Sequence, residues 1–472
     1  MKTSPLLLFT LVKYLSYALL FARGFLLAKY LDPYFFGVWG FVTLYQQYIG
    51  VTGLGLQYSV NAELAIRDLK NPSKEVNLIN TSITITLLVI VALVVGGAFL
   101  QLLQVPIFKT ENAFSYAFLI FTIGALQHYQ QLFANIYRVY NDLKRIALAE
   151  IIIVLSTVVV IFFFDKAQLL NAILVSWVIG LLLACLIYVI KAPFRIQLRI
   201  FSKESKVLLK TGIPLLVYNF SFYLILMSSR TIISIFYDVE TMGLYSFANS
   251  ITNATLLGIN TIAWVFFPML VDKLKSGVAQ EQVYDVIRQM LRLYITIVFL
   301  TIFFAVIFSP LIFLYLPKYQ AVQSALHILF LTQAIWSIGF VFVTLAIARR
   351  KHNQIAILSL ISVLCAASLG LIFASFKLDF FWLAISVLAS YLLLTVLVTR
   401  YGIKMADLKL LKYQEVFPLY LVIPFVCFLV GTFAPLGIVW QLAGLGIFLV
   451  LNKSNLIYLT KKIKEAVGSK IL

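Results

Sequence analysis

The sequence predicts an all-α integral membrane protein with fourteen transmembrane helices, and three observations carry that prediction. Of 472 residues, 62% are hydrophobic and 12% charged, with a mean hydropathy of +1.01; that apolar share is far above what a water-soluble domain carries. Apolar runs of about 17 to 28 residues recur along the whole chain, long enough for spanning helices and unlike the roughly 10 alternating residues of a barrel strand. The basic residues outside those runs alternate in density from one loop to the next.

Taken in order, the spans fall at 6-29, 34-59, 77-103, 113-138, 146-164, 169-190, 211-236, 242-271, 289-316, 321-348, 354-376, 379-400, 417-433 and 435-451. The first run holds Lys13 and Arg23 and ends without a small-residue cleavage site, so it reads as a retained helix and not as a signal peptide. Counting the residue at the end of an adjoining span, the N-terminus, every second loop and the C-terminal tail hold 28 Lys and Arg, against five in the alternate loops. By the positive-inside rule this places both termini in the cytoplasm, and it supports the span count, because one missed span would scramble every later loop. The net charge of +19 is then a matter of topology and of attraction to anionic lipid heads, and no nucleic-acid partner is expected.

Several chemistries find no support. Cys185, Cys365 and Cys427 lie inside spans and far apart, as do the scattered His128, His327 and His352, so neither disulfides nor a metal site is expected. There is no GxxxxGK[ST] loop and no HExxH. Loops on the outer side are short, the longest being about Pro106 to Asn112, which leaves no room for a catalytic domain. A transporter is expected and not an enzyme, with no cofactor and with coupling to a proton or sodium gradient left open.

An internal echo organises the chain. Arg23 to Trp39 (RGFLLAKYLDPYFFGVW) resembles Arg230 to Tyr245 (RTIISIFYDVETMGLY); an offset of 206 puts Asp32 on Asp238, Gly37 on Gly243 and Trp39 on Tyr245. The echo divides twelve spans into two parallel sets of six, 1-200 and 201-402, joined by the basic and apolar linker Lys191 to Lys210, which suits the inner interface. Residues 403-472 add a helix pair and a basic cytoplasmic tail.

Charged groups inside spans are costly in hydrocarbon and mark functional candidates, here Lys13, Arg23 and Arg230. Two roles are open to the arginines: facing a cavity, or snorkelling and pairing with Asp32 and Asp238. Polar stripes at helical spacing supply the other candidates. They comprise Gln46 and Gln57 with Gly50, Gly53 and Asn61 in the second span, and Gln127 and Gln131 with Asn135 and Arg138 in the fourth. Asn219 and Tyr223 share the face of Arg230 in the seventh, and Asn249, Asn253 and Asn260 line up with Trp264 in the eighth. Such amides either join helices by hydrogen bonds or line a polar cavity; four stripes, two in each half, favour the cavity. Amides suit hydroxyl-rich sugars and cations suit phosphate, whereas the scarcity of embedded acids disfavours an exporter of cationic drugs.

The turn ARGFLLAKYLDPYFFGVWGF, the glycine-rich GVTGLGLQYSV, TGIPLLVYN, VETMGLYSFANSI and FFPML together resemble the Wzx-type polysaccharide flippases of the multidrug/oligosaccharidyl-lipid/polysaccharide (MOP) exporter superfamily, over the whole chain. The resemblance implies a MATE-like, V-shaped pair of six-helix lobes plus a C-terminal helix pair. It implies alternating access in the bacterial inner membrane, moving an undecaprenyl-pyrophosphate-linked oligosaccharide to the outer leaflet for surface polysaccharide such as the O-antigen of lipopolysaccharide. Cations of the first helix and of the second lobe's start, matched here by Lys13, Arg23 and Arg230, would face the cavity. The implied partners are the lipid-linked oligosaccharide, membrane lipids, a polysaccharide polymerase and other assembly proteins. The alternative in the same superfamily is an ion-coupled exporter of small molecules.

Overall fold

The computed structural model describes residues 5–65, 72–110, 113–190, 192–408, 416, 419–434 and 437–468. Among these residues there are helices and no strands. In chain order the helices are α1 (Pro5–Tyr30), α2 (Pro33–Ile49), α3 (Leu56–Ala65), α4 (Pro72–Leu102), α5 (Ala117–Val139), α6 (Leu143–Val159), α7 (Lys166–Val189) and α8 (Ser202–Phe236). They continue with α9 (Val239–Leu274), α10 (Gln280–Tyr315), α11 (Gln323–Ala348), α12 (His352–Ser375), α13 (Phe381–Met405), α14 (Leu419–Phe433), α15 (Gly437–Leu451) and α16 (Lys453–Gly468).

Nine of the described helices are long and apolar enough to cross a membrane, or ten when α15 and the start of α16, bent by 70°, are taken as one span. The expected fourteen are not reached on length and composition among the described residues, and four of the five shortfalls, all but the eighth (α9), have identifiable reasons. The second expected span is broken: a 3-10 turn at Gly50–Gly53 separates α2 from α3. The fourth, α5, carries Gln127, His128, Gln130, Gln131 and Asn135 within its 23 residues. The last two, α14 and α15, have 15 residues each.

The chain divides into two compact units, Met1–Ser250 and Ile251–Leu472. In the first, Asp32 caps α2 by accepting from the Phe35 N–H at 2.9 Å, and Pro33 occupies the first turn, where its missing N–H costs nothing. Asp238 does the same for α9 through the Thr241 N–H at 2.7 Å. The two caps of the echo are thus equivalent, and both carboxylates are engaged in turn formation. The hairpins also pack on each other through equivalent glycines. A Cβ at Gly37 would stand 1.9 Å from the Val239 carbonyl oxygen, and one at Gly243 would stand 1.9 Å from that of Pro33. Pro33 and Val239 are themselves related by the offset of 206, so the contact is self-complementary, like that across a two-fold axis.

The core of this unit gathers Tyr137 and Phe133 of α5 with Tyr188 of α7, both tyrosine rings fully buried. Phe133 and Tyr137 stack on Tyr188 at 5.7 and 5.4 Å between centroids. The Tyr137 hydroxyl donates to the Tyr188 carbonyl and accepts from Arg145 at 2.9 Å. The linker after α7 is extended and stitched to α4: Asn80 and Thr81 accept from the Gln197 and Phe201 N–H groups, and Thr84 donates to the Arg199 carbonyl. Polar residues of an apolar span here satisfy backbone groups of the linker that make no helical bonds. In the second unit α11 is the centre, with twenty of its 26 residues buried. The α14 and α15 pair docks on α10 through Phe428 against Phe303 and Phe448 against Phe299 and Phe303, 5.7 to 6.2 Å between centroids. Apolar residues gain little there by leaving lipid, so close van der Waals packing holds the pair.

Candidate functional site

The break in the second expected span shapes a polar cavity of the first unit. After the 3-10 turn, Leu54 and Gly55 adopt positive φ of 53° and 70°, a left-handed pair that only its glycine accepts without cost. Gly55 is also a point of close approach, since a Cβ there would lie 2.1 Å from the Gly212 carbonyl oxygen of α8. The break frees the Ile49 carbonyl, which accepts from Thr52 Oγ1 at 2.7 Å and from His128 Nε2 at 3.1 Å. His128 is therefore tied to the break from α5; it also lies 3.0 Å from Thr52 Oγ1.

Around this arrangement lies a cavity of about 370 Å³. It is lined by Thr43, Gln46 and Gln47 of α2, Gly50, Gln57 and Tyr58 around the break, Gly124, Gln127, His128 and Gln131 of α5, Trp177 of α7, and Leu216, Phe220 and Tyr223 of α8. None of these is Lys, Arg, Asp or Glu. Gln46 is 7% exposed, and its Nε2 has no partner; the buried Oε1 of Gln57 likewise has none. A buried amide left unpaired costs about 1–3 kcal/mol, so this wall is poised to bond a polar guest.

The structure thus brings together five of the residues singled out by spacing: Gln46, Gln57, Gln127, Gln131 and Tyr223. Asn219 turns back on its own helix, donating to the Leu215 carbonyl at 2.7 Å, and Asn249 and Asn253 are not in the lining. The side chain of Asn260 lies outside the described residues.

None of the three cations is in the lining, and each has partners of its own. Lys13 forms a 2.5 Å ion pair with Glu150 of α6, so a nearby carboxylate meets its charge. Arg230 is 3% exposed; its guanidinium donates to the Gly40 carbonyl, to Thr43 Oγ1 at 2.7 Å and to Gln47 Oε1 at 3.4 Å. It clamps α8 to α2, and neither Asp32 nor Asp238 pairs with it. Arg23 is half-buried, donates to Thr157 Oγ1 at 3.1 Å, and lies against the rings of Trp39 and Trp177, 5.3 Å from each centroid. The two arginines of the echo therefore have different work, although the turns beside them match.

Sequence reasoning missed His128, Trp177 and Gln47 in the wall, and Glu150 as the partner of Lys13. His128 was within reach, one residue from Gln127 on the same helix; Trp177 sits in a span with no polar stripe. In the second unit Arg292, the thirteenth residue of α10, donates to Asn455 Oδ1 at 2.8 Å and was also missed.

Residues 6–273 match the family model described as polysaccharide biosynthesis protein. The chain belongs to this family. No curated protein matches the chain. Among solved structures, the fold is similar to that of an inward-facing multidrug resistance MATE family transporter of the MOP superfamily, with a TM-score of 0.70 at 13% identity over 84% of this chain and 98% of that one. It is equally similar to the lipid II flippase MurJ in an inward closed conformation, with a TM-score of 0.70 at 15% identity over 98% of this chain and 99% of the other. A MOP superfamily transporter from Pyrococcus furiosus gives 0.58 at 14% identity, over 85% and 94%. The protein is thus a multi-pass membrane member of the polysaccharide biosynthesis family with the MOP transporter fold.

Proposed function

We propose that this protein is a flippase that carries a polyprenyl-pyrophosphate-linked oligosaccharide repeat unit from the cytoplasmic to the outer leaflet of the bacterial inner membrane, with both termini cytoplasmic. The observation that carries the reading is the amide-lined cavity, walled by glutamines, aromatic rings and no ionised side chain. Such a wall offers hydrogen bonds and ring faces to a glycan and offers no carboxylate to a cationic drug. Arg23, which shares Trp177 with that wall, is the candidate contact for the pyrophosphate. The two sets of six helices, 1-200 and 201-402, would alternate in access, with a polymerase and other assembly proteins as partners in making O-antigen-like polysaccharide.

Deletion of the gene tests this: the lipid-linked repeat unit should accumulate in the inner leaflet and surface polysaccharide should fall. An unchanged outer-leaflet pool with normal polysaccharide overturns it. One observation favours the second reading, an ion-coupled exporter of small molecules: the Lys13 and Glu150 pair places an ionisable carboxylate between spans, where a proton could enter. A changed drug susceptibility on deletion, with glycans intact, would select that reading.

A further inference from the structure

We propose that the cavity is a subsite for an uncharged sugar, with Gln46 and Gln57 as its specificity-determining pair. The inference rests on the flippase reading and names the class of sugar that the site takes. A wall of amides can bond hydroxylated ligands of any charge, but the cost of entry differs. A carboxylate or phosphate that leaves water needs a cation or several donors in return, and an unpaired buried charge is far more costly than an unpaired hydroxyl. Among the described residues no Lys or Arg lines the cavity. The basic group closest to the wall in bonding terms, Arg230, donates its terminal N–H groups to the Gly40 carbonyl, Thr43 and Gln47 of α2, and only its buried Nε is without a partner.

The unpaired polar groups of the lining residues themselves are neutral and two-sided. Gln46 presents an unpaired buried Nε2 donor and Gln57 an unpaired buried Oε1 acceptor, from opposite sides of the Gly50–Gly53 break. A sugar hydroxyl both donates and accepts, and an N-acetyl group does so through separate atoms, so either satisfies both walls at once; a carboxylate accepts only and would leave the Gln57 oxygen unpaired. Trp177 and Phe220 supply faces for the apolar C–H surface of the ring. A site built to hydrogen-bond its substrate rejects the analogue that leaves its buried polar groups unpaired by large factors.

The test uses full-length protein in proteoliposomes and two synthetic polyprenyl-pyrophosphate saccharides that differ at one sugar, N-acetylglucosamine in one and glucuronic acid in the other. The wild type should flip the neutral lipid at least tenfold faster. Gln46→Leu and Gln57→Leu should each slow the neutral lipid about tenfold with the melting temperature retained, and Gln46→Arg should narrow or reverse the preference. Equal or faster flipping of the uronate lipid by the wild type overturns the inference and leaves the flippase reading standing. Flipping of neither lipid overturns both. The wild-type ratio needs no variant to fold, so a variant that fails to accumulate does not spare the proposal.

Discussion

Gly37→Ala is the sharpest probe of the contact between the two hairpins of the internal echo. The added Cβ would stand 1.9 Å from the Val239 carbonyl oxygen and 2.9 Å from Val239 Cγ1. Backbone sits in the way, so no side-chain rotation relieves the clash. Helices α2 and the start of α9 must part by about 1.5 Å to restore van der Waals contact, at a cost of roughly 1–3 kcal/mol for an overpacked site. The same separation strains what lies further along the seam, the edge-on pair of Phe36 and Phe247 at 6.1 Å and the Ser246 hydroxyl beneath Gly40. Gly243→Ala should do the same against Pro33. Because both methyl groups wedge one seam, the double variant should cost much less than the sum of the singles, a coupling expected only of residues in contact. The assay is thermal unfolding in detergent for the two singles and the double, with disulfide trapping between Phe36→Cys and Phe247→Cys as a direct reading of the closed seam. Each single should melt a few degrees lower and trap less. Unchanged melting and trapping in Gly37→Ala, or strictly additive losses in the double, would refute the self-complementary contact.

Lys13→Ala should destabilise by on the order of 1–3 kcal/mol, between the values for exposed and buried pairs, because it strands Glu150; Lys13→Ala with Glu150→Ala should recover much of the loss, read as protein in the membrane and as melting temperature. Arg230→Lys should fail to replace the fork that reaches the Gly40 carbonyl and Thr43 together, and Arg230→Ala should lower the amount of protein in the membrane; normal abundance in both would return Arg230 to a direct transport role. Arg23→Ala should slow flipping with abundance largely kept, since the loss is one bond to Thr157 and ring contacts worth about 0.5–2 kcal/mol; a variant absent from the membrane would make Arg23 structural. Asp32→Ala and Asp238→Ala should each cost about 1 kcal/mol through loss of a helix cap, and unequal effects would count against equivalent turns.

Much of this protein is legible without coordinates because hydrocarbon constrains a chain so tightly. A segment that crosses lipid must satisfy its backbone internally, so helices can be read from the length of apolar runs, and the all-helical membrane fold follows from composition. The echo of Asp32 and Gly37 with Asp238 and Gly243 was visible because turn chemistry is local: a cap reaches three residues along the chain. Stripes at helical spacing likewise selected Gln46, Gln57, Gln127, Gln131 and Tyr223, which share one wall.

Only the tertiary structure decided the roles of the charges and the path of the second span. Glycines at 50, 53 and 55 are tolerated in membrane helices, and whether they break one depends on a neighbour, here Gly212 of α8, coming close enough to use the gap. A cation in a span announces a partner or a cavity, and sequence cannot choose, because the choice rests on residues more than a hundred positions away. Glu150 meets Lys13 at a separation of 137 residues, and Gly40 meets Arg230 at 190. Those long-range contacts turn two of the three expected cavity cations into fastenings between helices, and they leave the neutral glutamines to face whatever enters.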